Sequence, residues 1–315
     1  MQGKNSIIKS SSTQMLFDRS KAILQQIHDD LFVEKQVTVH VLRLDLLHPV
    51  VSGNKLFKLH YFLAEALAAE HKRILTFGGA YSNHLTATAY ACRLLDLSCM
   101  GIVRGEEPPT LSPTLQQCLQ DGMQLQFVSR HVYDDKDAAS FIAGLHTSFG
   151  DFCMVPEGGF HPMGAKGAAL IMDVLQDKTA THICTASGTA TTTAGLVMAA
   201  TPTQQIISIP VLKGITDMAA RIQELTGKPA PANLQVLPDY HFGGYAKKNE
   251  VLIAFMNHCW LGYQLPLDFV YTAKMFFGVM DSIRNNYFEP GSKIICLHTG
   301  GLQGNKSLPL NTILF

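Results

Sequence analysis

Residues 73–84 read Arg-Ile-Leu-Thr-Phe-Gly-Gly-Ala-Tyr-Ser-Asn-His, and this stretch decides the fold class. The apolar run 73–77 is bounded by Gly78-Gly79, which predicts a short buried strand. Ser82 or Asn83 can cap a following helix, because both side chains accept hydrogen bonds from backbone N–H groups. A strand, a glycine turn and a helix N-terminus together suit an anion such as a carboxylate. The predicted helix continues through apolar residues at helical spacing, namely Leu85, Ala89, Cys92 and Leu95.

Strand-like runs alternate with helical runs along the whole sequence. This alternation favours α/β layers with mainly parallel sheets. The sequence contains neither an internal repeat nor a low-complexity linker. The predicted strands cover residues 37–43, 73–77, 99–103, 125–127, 182–185, 206–210 and 294–297.

A second loop has the same strand–loop–helix pattern. Residues 181–186 predict a buried strand, and residues 187–195 read Ser-Gly-Thr-Ala-Thr-Thr-Thr-Ala-Gly before an apolar helix start. Such a loop offers hydroxyls and backbone N–H groups to a phosphate at a helix N-terminus. It has neither G-x-x-x-x-G-K-[ST] nor G-x-G-x-x-G, so the common nucleotide motifs are absent. The alternative is an ordinary turn rich in serine and threonine.

A lysine follows a glycine and an asparagine in Ser52-Gly53-Asn54-Lys55. Gly53 allows a sharp turn, and the Asn54 amide can anchor it. A lysine that forms an imine needs a partly deprotonated amine in a confined site. The alternative is a surface turn with a solvated lysine. An imine-forming lysine together with a phosphate loop without a nucleotide motif points to pyridoxal 5′-phosphate.

With these motifs in place, the chain resembles the pyridoxal-phosphate-dependent family of 1-aminocyclopropane-1-carboxylate deaminase and D-cysteine desulfhydrase. This family has the fold of the tryptophan synthase β-subunit, fold type II. The resemblance runs from about residue 42 to residue 301. Its anchors are residues 43–46, 52–55, 78–79 with 82–84, 156–159, 187–195, 267–274 and 298–301.

The resemblance implies a role for each matched residue. Lys55 would carry the cofactor and move the α-proton, and Lys58 would lie near the phosphate. Asn83 would bind the phenolic oxygen of the cofactor. Ser82 and the N–H groups of Asn83 and His84 would receive the substrate carboxylate. The phosphate would be bound by Ser187, Gly188, Thr189, Ala190, Thr191 and Thr192.

Tyr245 and Tyr271 would line the substrate side, so that Lys55, Ser82 and these two tyrosines form the expected catalytic set. Either Thr299 or Thr272 would face the pyridine nitrogen, and the sequence leaves this choice open. Ring-opening deaminases carry Tyr-Glu where this chain has Tyr271-Thr272. A neutral hydroxyl there leaves the ring nitrogen largely unprotonated and favours β-elimination over ring opening.

The implied activity is a D-cysteine desulfhydrase-like α,β-elimination that gives pyruvate, ammonia and sulfide. One alternative is ring opening of 1-aminocyclopropane-1-carboxylate to 2-oxobutanoate and ammonia, and others are another elimination or racemisation at Cα. A further alternative is a cofactor-binding homologue without turnover. Phe160-His161 replaces the serine and asparagine usual in the family, and the surroundings of Tyr245 also differ. Both changes fall near where the resemblance implies that substrate specificity is set.

The resemblance also implies two domains, each with three α/β/α layers. Residues 1–55 and 157–315 would form a large cofactor-binding domain that carries the phosphate loop. Residues 56–156 would form a smaller inserted α/β domain that carries the carboxylate-binding turn. The cofactor would then lie between the two domains, where ligand sites are common.

Composition agrees with a globular enzyme. The chain has 315 residues, 47% of them hydrophobic and 16% charged, with 25 basic and 25 acidic side chains. This balance argues against nucleic acid or an anionic membrane as a partner. Seven scattered cysteines predict reduced thiols and no zinc site. Residues 1–13 contain no apolar signal core, and no run approaches the roughly 18 apolar residues of a membrane span. We expect a cytoplasmic homodimer that acts on a small amino acid without a metal.

Overall fold

The computed structural model of the protein describes residues 21–48, 53–175 and 177–315. Ser52 and the N-terminal residues 1–13 lie outside the described part of the chain. The chain divides into two compact units. The smaller unit comprises Leu59–Gly159, and the larger unit joins the described residues up to Lys58 with Phe160–Phe315.

The strands of the described residues form two sheets, one in each unit. They are β1 (Ile23–Ile27), β2 (Thr38–Arg43), β3 (Arg73–Gly78), β4 (Ser98–Arg104), β5 (Met123–Val128), β6 (Cys153–Val155), β7 (His182–Ser187), β8 (Gln205–Pro210), β9 (Leu234–Val236) and β10 (Lys293–His298). The smaller unit has the parallel order β5-β4-β3-β6. The larger unit has the order β1-β2-β10-β7-β8-β9, in which only β1 is antiparallel to its neighbour.

All seven predicted strands are present, and the predicted α/β fold with mainly parallel sheets is confirmed. The larger sheet shows why the prediction was correct. The central strand β10 pairs in parallel with β2 on one side and with β7 on the other. Such strands are covered on both faces and therefore read as continuous apolar runs. In β10, Ile294, Ile295, Cys296 and Leu297 are all buried.

The helices that follow these strands carry the residues of the candidate site. They are α1 (Asp30–Glu34), α2 (Asn54–Ala68), α3 (Asn83–Leu95), α4 (Pro113–Gln120), α5 (Arg130–Asp134), α6 (Ala139–Phe149), α7 (Pro162–Ala169), α8 (Ile171–Val174), α9 (Thr191–Ala199), α10 (Met218–Thr226), α11 (Glu250–Tyr263) and α12 (Thr272–Arg284). Short 3-10 helices cover Leu44–Leu47, Glu157–Gly159, Pro238–His241 and Leu302–Ser307.

Each unit has its own apolar core. In the smaller unit, Leu75 and Phe77 of β3 pack with Met100 and Ile102 of β4. In the larger unit, the apolar face of α12 packs with strands β2, β7, β8 and β10. Burial of this apolar area is the main favourable term in the stability of each unit. None of the helices in the described ranges is long and apolar enough to cross a membrane.

Candidate active site

The Gly-Asn-Lys turn is held against the C-terminal end of β10 within the larger unit. Gly53 has a φ of +78°, and its N–H donates to the Leu44 carbonyl at 2.9 Å. The Asn54 N–H donates to the Thr299 carbonyl at 3.3 Å. A Cβ atom added at Gly53 would lie 1.8 Å from the same Thr299 oxygen. Only glycine therefore fits this position, and α2, with Lys55 as its second residue, begins from a fixed backbone.

The Asn54 side chain joins the lysine to the phosphate loop. The Lys55 ammonium donates to Asn54 Oδ1 at 2.8 Å, and Asn54 Nδ2 donates to Thr192 Oγ1 at 2.7 Å. Asn54 is buried, so its bond to Thr192 is shielded from water, while its bond to Lys55 is partly buried. This chain of hydrogen bonds places the lysine and the N-terminal end of α9 in one connected group.

The two lysines of α2 are unusual electrostatically. Lys55 is half-buried, and removal of its ammonium from water lowers the pKa to about 8, while the Asp268 carboxylate opposes part of that shift. Lys58 is buried, and burial lowers its pKa well below the usual value, with a further contribution from the Lys55 charge. An amine with a pKa near 8 is neutral in a useful fraction of molecules at physiological pH and can attack an aldehyde.

The loop between β7 and α9 has the features of a phosphate site. Ala190 has a φ of +66° and offers no capping side chain, so the first N–H groups of α9 lack a side-chain cap. The Ser187 Oγ atom is buried and has no hydrogen-bond partner among the described residues. The Thr189 and Thr191 hydroxyls are 2.9 Å apart. Uncapped N–H groups and an unpaired buried hydroxyl fit a bound phosphate.

Two tyrosines line the same region as Lys55. Lys55 Nζ lies 5.7 Å from the centroid of the Tyr271 ring. The Tyr245 and Tyr271 rings meet edge to face, with centroids 6.0 Å apart and planes at 74°. A Cβ atom at Gly188 would lie 3.3 Å from Tyr271 Cε1, so the glycine lets the ring approach the phosphate loop. The structure thus brings Lys55, Tyr271, Tyr245 and the loop together.

Asp268 organises the start of α12. Its fully buried carboxylate accepts from the N–H groups of Val270, Tyr271 and Thr272, each at 2.9 Å. The Thr272 hydroxyl donates to Asp268 Oδ1 at 2.7 Å and accepts from the Asp268 N–H at 2.8 Å. The Thr272 hydroxyl is therefore engaged within this turn.

The predicted carboxylate-binding turn lies in the smaller unit. Ser82 is the N-cap of α3, and its Oγ accepts from the Leu85 N–H at 3.3 Å, which leaves the hydroxyl proton to donate elsewhere. Asn83 Oδ1 is buried without a hydrogen-bond partner in the part of the chain that the structure describes. His84 is buried, and its Nε2 lies 2.9 Å from the Thr76 hydroxyl. Of the three residues, Ser82 and Asn83 thus have side-chain atoms suited to a ligand.

The predicted site residues divide between the two units. The smaller unit holds Ser82, Asn83 and His84. The larger unit holds Lys55, Lys58, Ser187, Gly188, Thr189, Ala190, Thr191, Thr192, Tyr245, Tyr271, Thr272 and Thr299. Thr299 is buried at the end of β10, where its carbonyl receives the Asn54 N–H.

Sequence reasoning assigned no role to Asp268 and did not foresee the Asn54 bridge. An aspartate just before a predicted helix is a signal for capping and could have identified Asp268. The partner of Asn54 is 138 residues away in the sequence, and no local pattern indicates such a contact.

Phe160 and His161, two residues that differ from the usual family pattern, both make structural contacts. Phe160 is partly buried and packs against the cluster that contains Ala190 and Ala194. His161 caps α7, because its Nδ1 accepts from the Met163 N–H at 3.2 Å. In residues 21–48, 53–175 and 177–315 there is no group of three or more histidine, cysteine, aspartate or glutamate side chains that could hold a metal ion.

Comparison with known proteins gives relatives along most of the chain, although no family model matches. A predicted 1-aminocyclopropane-1-carboxylate deaminase of Pyrococcus horikoshii is 28% identical over 285 residues, 84% of this chain and 85% of that protein. D-cysteine desulfhydrase of Salmonella typhi is 26% identical over 287 residues, 84% of this chain and 86% of that protein.

The crystal structure of a homologue of the deaminase superposes with a TM-score of 0.79 at 25% identity, over 97% of both chains. The chain resembles the 1-aminocyclopropane-1-carboxylate deaminase and D-cysteine desulfhydrase family. This finding confirms the resemblance predicted from the motifs. It also agrees with the α/β architecture of the two sheets.

Proposed function

We propose that this protein is a pyridoxal-phosphate-dependent lyase that eliminates a β-leaving group from a small D-amino acid. D-Cysteine is the proposed substrate, and pyruvate, ammonia and sulfide are the proposed products. The observation that carries the proposal is the hydrogen-bonded chain from Lys55 through Asn54 to Thr192. This chain of hydrogen bonds supports an imine-forming lysine that is linked through Asn54 to a phosphate-binding helix.

The residues present fit pyridoxal phosphate. This cofactor supplies an aldehyde, a phosphate and a ring that withdraws electrons from the substrate. Lys55 would bind the aldehyde, and residues 187–192 with Lys58 would hold the phosphate. The unpaired Ser187 Oγ atom, which can donate to a phosphate oxygen, supports this assignment, because buried polar atoms in native proteins normally have partners. Asn83 would bind the phenolic oxygen through its side-chain amide.

We assign the ring nitrogen to Thr299. The Thr272 hydroxyl donates to Asp268 and accepts from the Asp268 N–H, which supports a structural role for it. The Asp268 carboxylate in turn accepts hydrogen bonds from three backbone N–H groups and one hydroxyl of its own turn. A hydroxyl at Thr299 would leave the ring nitrogen neutral, a setting that suits a substrate with an acidic α-proton and a good leaving group.

Residues of the chain would accept the α-proton, line the substrate side and bind the substrate carboxylate. Lys55 Nζ, with its lowered pKa, would accept the α-proton of the bound substrate. The Tyr271 ring beside Lys55 and the Tyr245 ring beyond it would line the substrate side. Ser82 and the N–H groups of Asn83 and His84 would hold the substrate carboxylate. These contacts would orient the Cα–H bond toward the base, which lowers the entropic part of the barrier.

Substrate choice tests the proposal directly. The purified protein is offered a panel of D- and L-amino acids and 1-aminocyclopropane-1-carboxylate, with sulfide, ammonia and 2-oxo acid scored separately. We expect pyruvate, ammonia and sulfide from D-cysteine, and little or no 2-oxobutanoate from the cyclopropane amino acid, because Thr272 stands where ring-opening enzymes have glutamate. Comparable kcat/KM values on both substrates would contradict the elimination proposal. Cofactor binding without turnover of any substrate would favour the non-catalytic homologue.

Ser82→Ala should separate substrate binding from cofactor retention. Loss of a hydrogen bond to a charged group costs about 1.5–3 kcal/mol, so kcat/KM should fall roughly ten- to a hundredfold. The absorbance of the bound cofactor should persist. Ser129→Ala is the matched control, because Ser129 also caps a helix of the smaller unit, accepting from Val132 N–H at 3.3 Å. Equal kinetics in the Ser82 variant and the wild type would show that this serine is only a cap.

We also propose that the protein is a homodimer and is located in the cytoplasm. Both proposals rest on the family resemblance, and the proposed location also rests on the balanced charge and ordinary globular composition of the chain. A single-protomer mass in light scattering would contradict the dimer. Recovery of the protein in an exported or membrane fraction would contradict the location.

A further inference from the structure

Lys274 is a buried lysine that the proposed reaction does not use. It lies on α12, and its side chain has no exposed surface. Burial lowers the pKa of its ammonium to about 8, and the Asp268 carboxylate opposes part of that shift. Burial of an ammonium is unfavourable unless its hydrogen bonds are made inside the protein. The contacts of Lys274 therefore indicate what it does.

The ammonium donates to two backbone carbonyls of one turn. Lys274 Nζ lies 2.8 Å from the His241 oxygen and 2.7 Å from the Gly244 oxygen. Each oxygen also accepts a backbone hydrogen bond, from Gly244 N–H at 3.0 Å and from Lys247 N–H at 3.1 Å. The His241 and Gly244 oxygens thus each accept two hydrogen bonds, one from a backbone N–H and one from Lys274. In this way the lysine links two successive turns, 241–244 and 244–247.

This segment has an uncommon backbone conformation. Phe242, Gly243, Gly244 and Ala246 have φ values of +51°, +91°, +119° and +53°. The left-handed region is unfavourable for a residue other than glycine, because its Cβ atom crowds the following carbonyl oxygen. Such conformations persist where surrounding contacts hold them. The two hydrogen bonds from Lys274 are contacts of this kind.

Tyr245 lies inside the segment that Lys274 holds. Its side chain is 51% exposed, so core packing alone does not fix the ring. The ring nevertheless meets Tyr271 edge to face at 6.0 Å. Tyr271 is in turn the tyrosine whose ring lies beside Lys55 Nζ. A change in the turn would therefore move a ring at the substrate side.

We propose that Lys274 is a positioning residue that holds turn 241–247 through the His241 and Gly244 carbonyls and thereby sets Tyr245 against Tyr271. The proposal rests on the proposed function, because it takes the two tyrosines to line the substrate side. The resulting role is in substrate selection and orientation, separate from cofactor binding.

Lys274→Met tests the contact without reference to activity. Methionine fills a similar volume and removes the donors. Hydrogen exchange at the Gly244 and Lys247 amides should accelerate by about tenfold or more, since local opening of a turn follows the loss of its restraining bonds. Tyr240→Phe is the matched control, because the Tyr240 hydroxyl donates to Asp281 of the same helix at 2.9 Å and does not contact the two carbonyls. Unchanged exchange in Lys274→Met would overturn the proposal.

A double-mutant cycle tests whether Lys274 acts through Tyr245. On the best substrate, Lys274→Met should lower kcat/KM about ten- to a hundredfold while the cofactor absorbance is retained, since small misplacements can cost this much. In a Tyr245→Ala background the same change should cost less than about twofold, because the two sites then no longer couple. Tyr240→Phe should keep the wild-type kcat/KM.

Equal effects of Lys274→Met in both backgrounds would contradict the assignment even if the exchange result agreed. Lys274→Gln, which keeps an N–H donor on a shorter side chain, should give intermediate exchange and kinetics. Failure of both variants to fold would also overturn the proposal, because the lysine would then serve the fold and not the tyrosine. An inactive wild-type protein would contradict the proposed function, and the exchange result would still decide whether Lys274 holds the turn.

Discussion

Lys55→Ala is expected to abolish turnover and the visible absorbance of bound pyridoxal phosphate. The change removes both the amine that would bind the aldehyde and the base that would accept the α-proton. Loss of a positioned base alone typically costs 10²–10⁴ in rate, so kcat should fall by at least about a hundredfold even before the loss of cofactor binding is included. Turnover and the absorption spectrum are measured on protein incubated with excess cofactor.

Lys166→Ala is the control for this variant. Lys166 is an exposed lysine of α7, outside the residues assigned to the cofactor. It should keep the wild-type spectrum and rate. Retention of the visible absorbance by Lys55→Ala would show that another lysine carries the cofactor, and retention of turnover would remove Lys55 from the mechanism.

Gly53→Ala is expected to produce the largest loss of stability among single changes near the site. Its Cβ atom would lie 1.8 Å from the Thr299 oxygen and 2.7 Å from the Gly300 nitrogen, and both are backbone atoms that cannot move aside. The positive φ of +78° adds strain for any residue with a side chain. Overpacking and left-handed strain together should cost about 2–5 kcal/mol. Cofactor affinity should fall as well, because Asn54 and Lys55 follow directly.

Gly227→Ala separates the effect of overpacking from the effect of left-handed backbone strain. Gly227 ends α10 with a φ of +70°, yet an added Cβ would meet no atom within 4 Å. It should therefore show only the conformational cost, about 1–2 kcal/mol. Thermal unfolding of both variants, with the wild type beside them, measures the difference. Equal midpoints for the two variants would mean that the close approach of Thr299 contributes nothing to stability.

The parallel strands could be predicted because strands that are buried on both faces have mostly apolar sequences. Strand β3 illustrates this, since Ile74, Leu75 and Phe77 are all buried, and so is Thr76 between them, so that both faces of the strand are covered. Three strands were not predicted. The strand β1 has the half-polar sequence Ile-Leu-Gln-Gln-Ile at a sheet edge, and β6 and β9 have only three residues each. Strands this short or polar lack the periodicity on which sequence reasoning depends.

The candidate site was predictable to the extent that its motifs are local. The sequence alone left open whether Ser82 or Asn83 caps helix α3, because serine and asparagine cap helices about equally well. The structure shows that Ser82 is the N-cap. The long-range bonds from Asn54 to Thr192 and from Lys274 to His241 join distant parts of the chain. No spacing rule reports such contacts, since they depend on how strands and helices pack.

Every proposed role at this site depends on Lys55 carrying pyridoxal phosphate. Borohydride reduction of the cofactor-loaded protein, followed by proteolysis and mass spectrometry of the peptides, tests it most directly. We expect one reduced pyridoxyl group, on the peptide that contains Gly53-Asn54-Lys55 and on the Lys55 side chain itself. A pyridoxyl group on Lys58, on Lys274 or on any other lysine would contradict it.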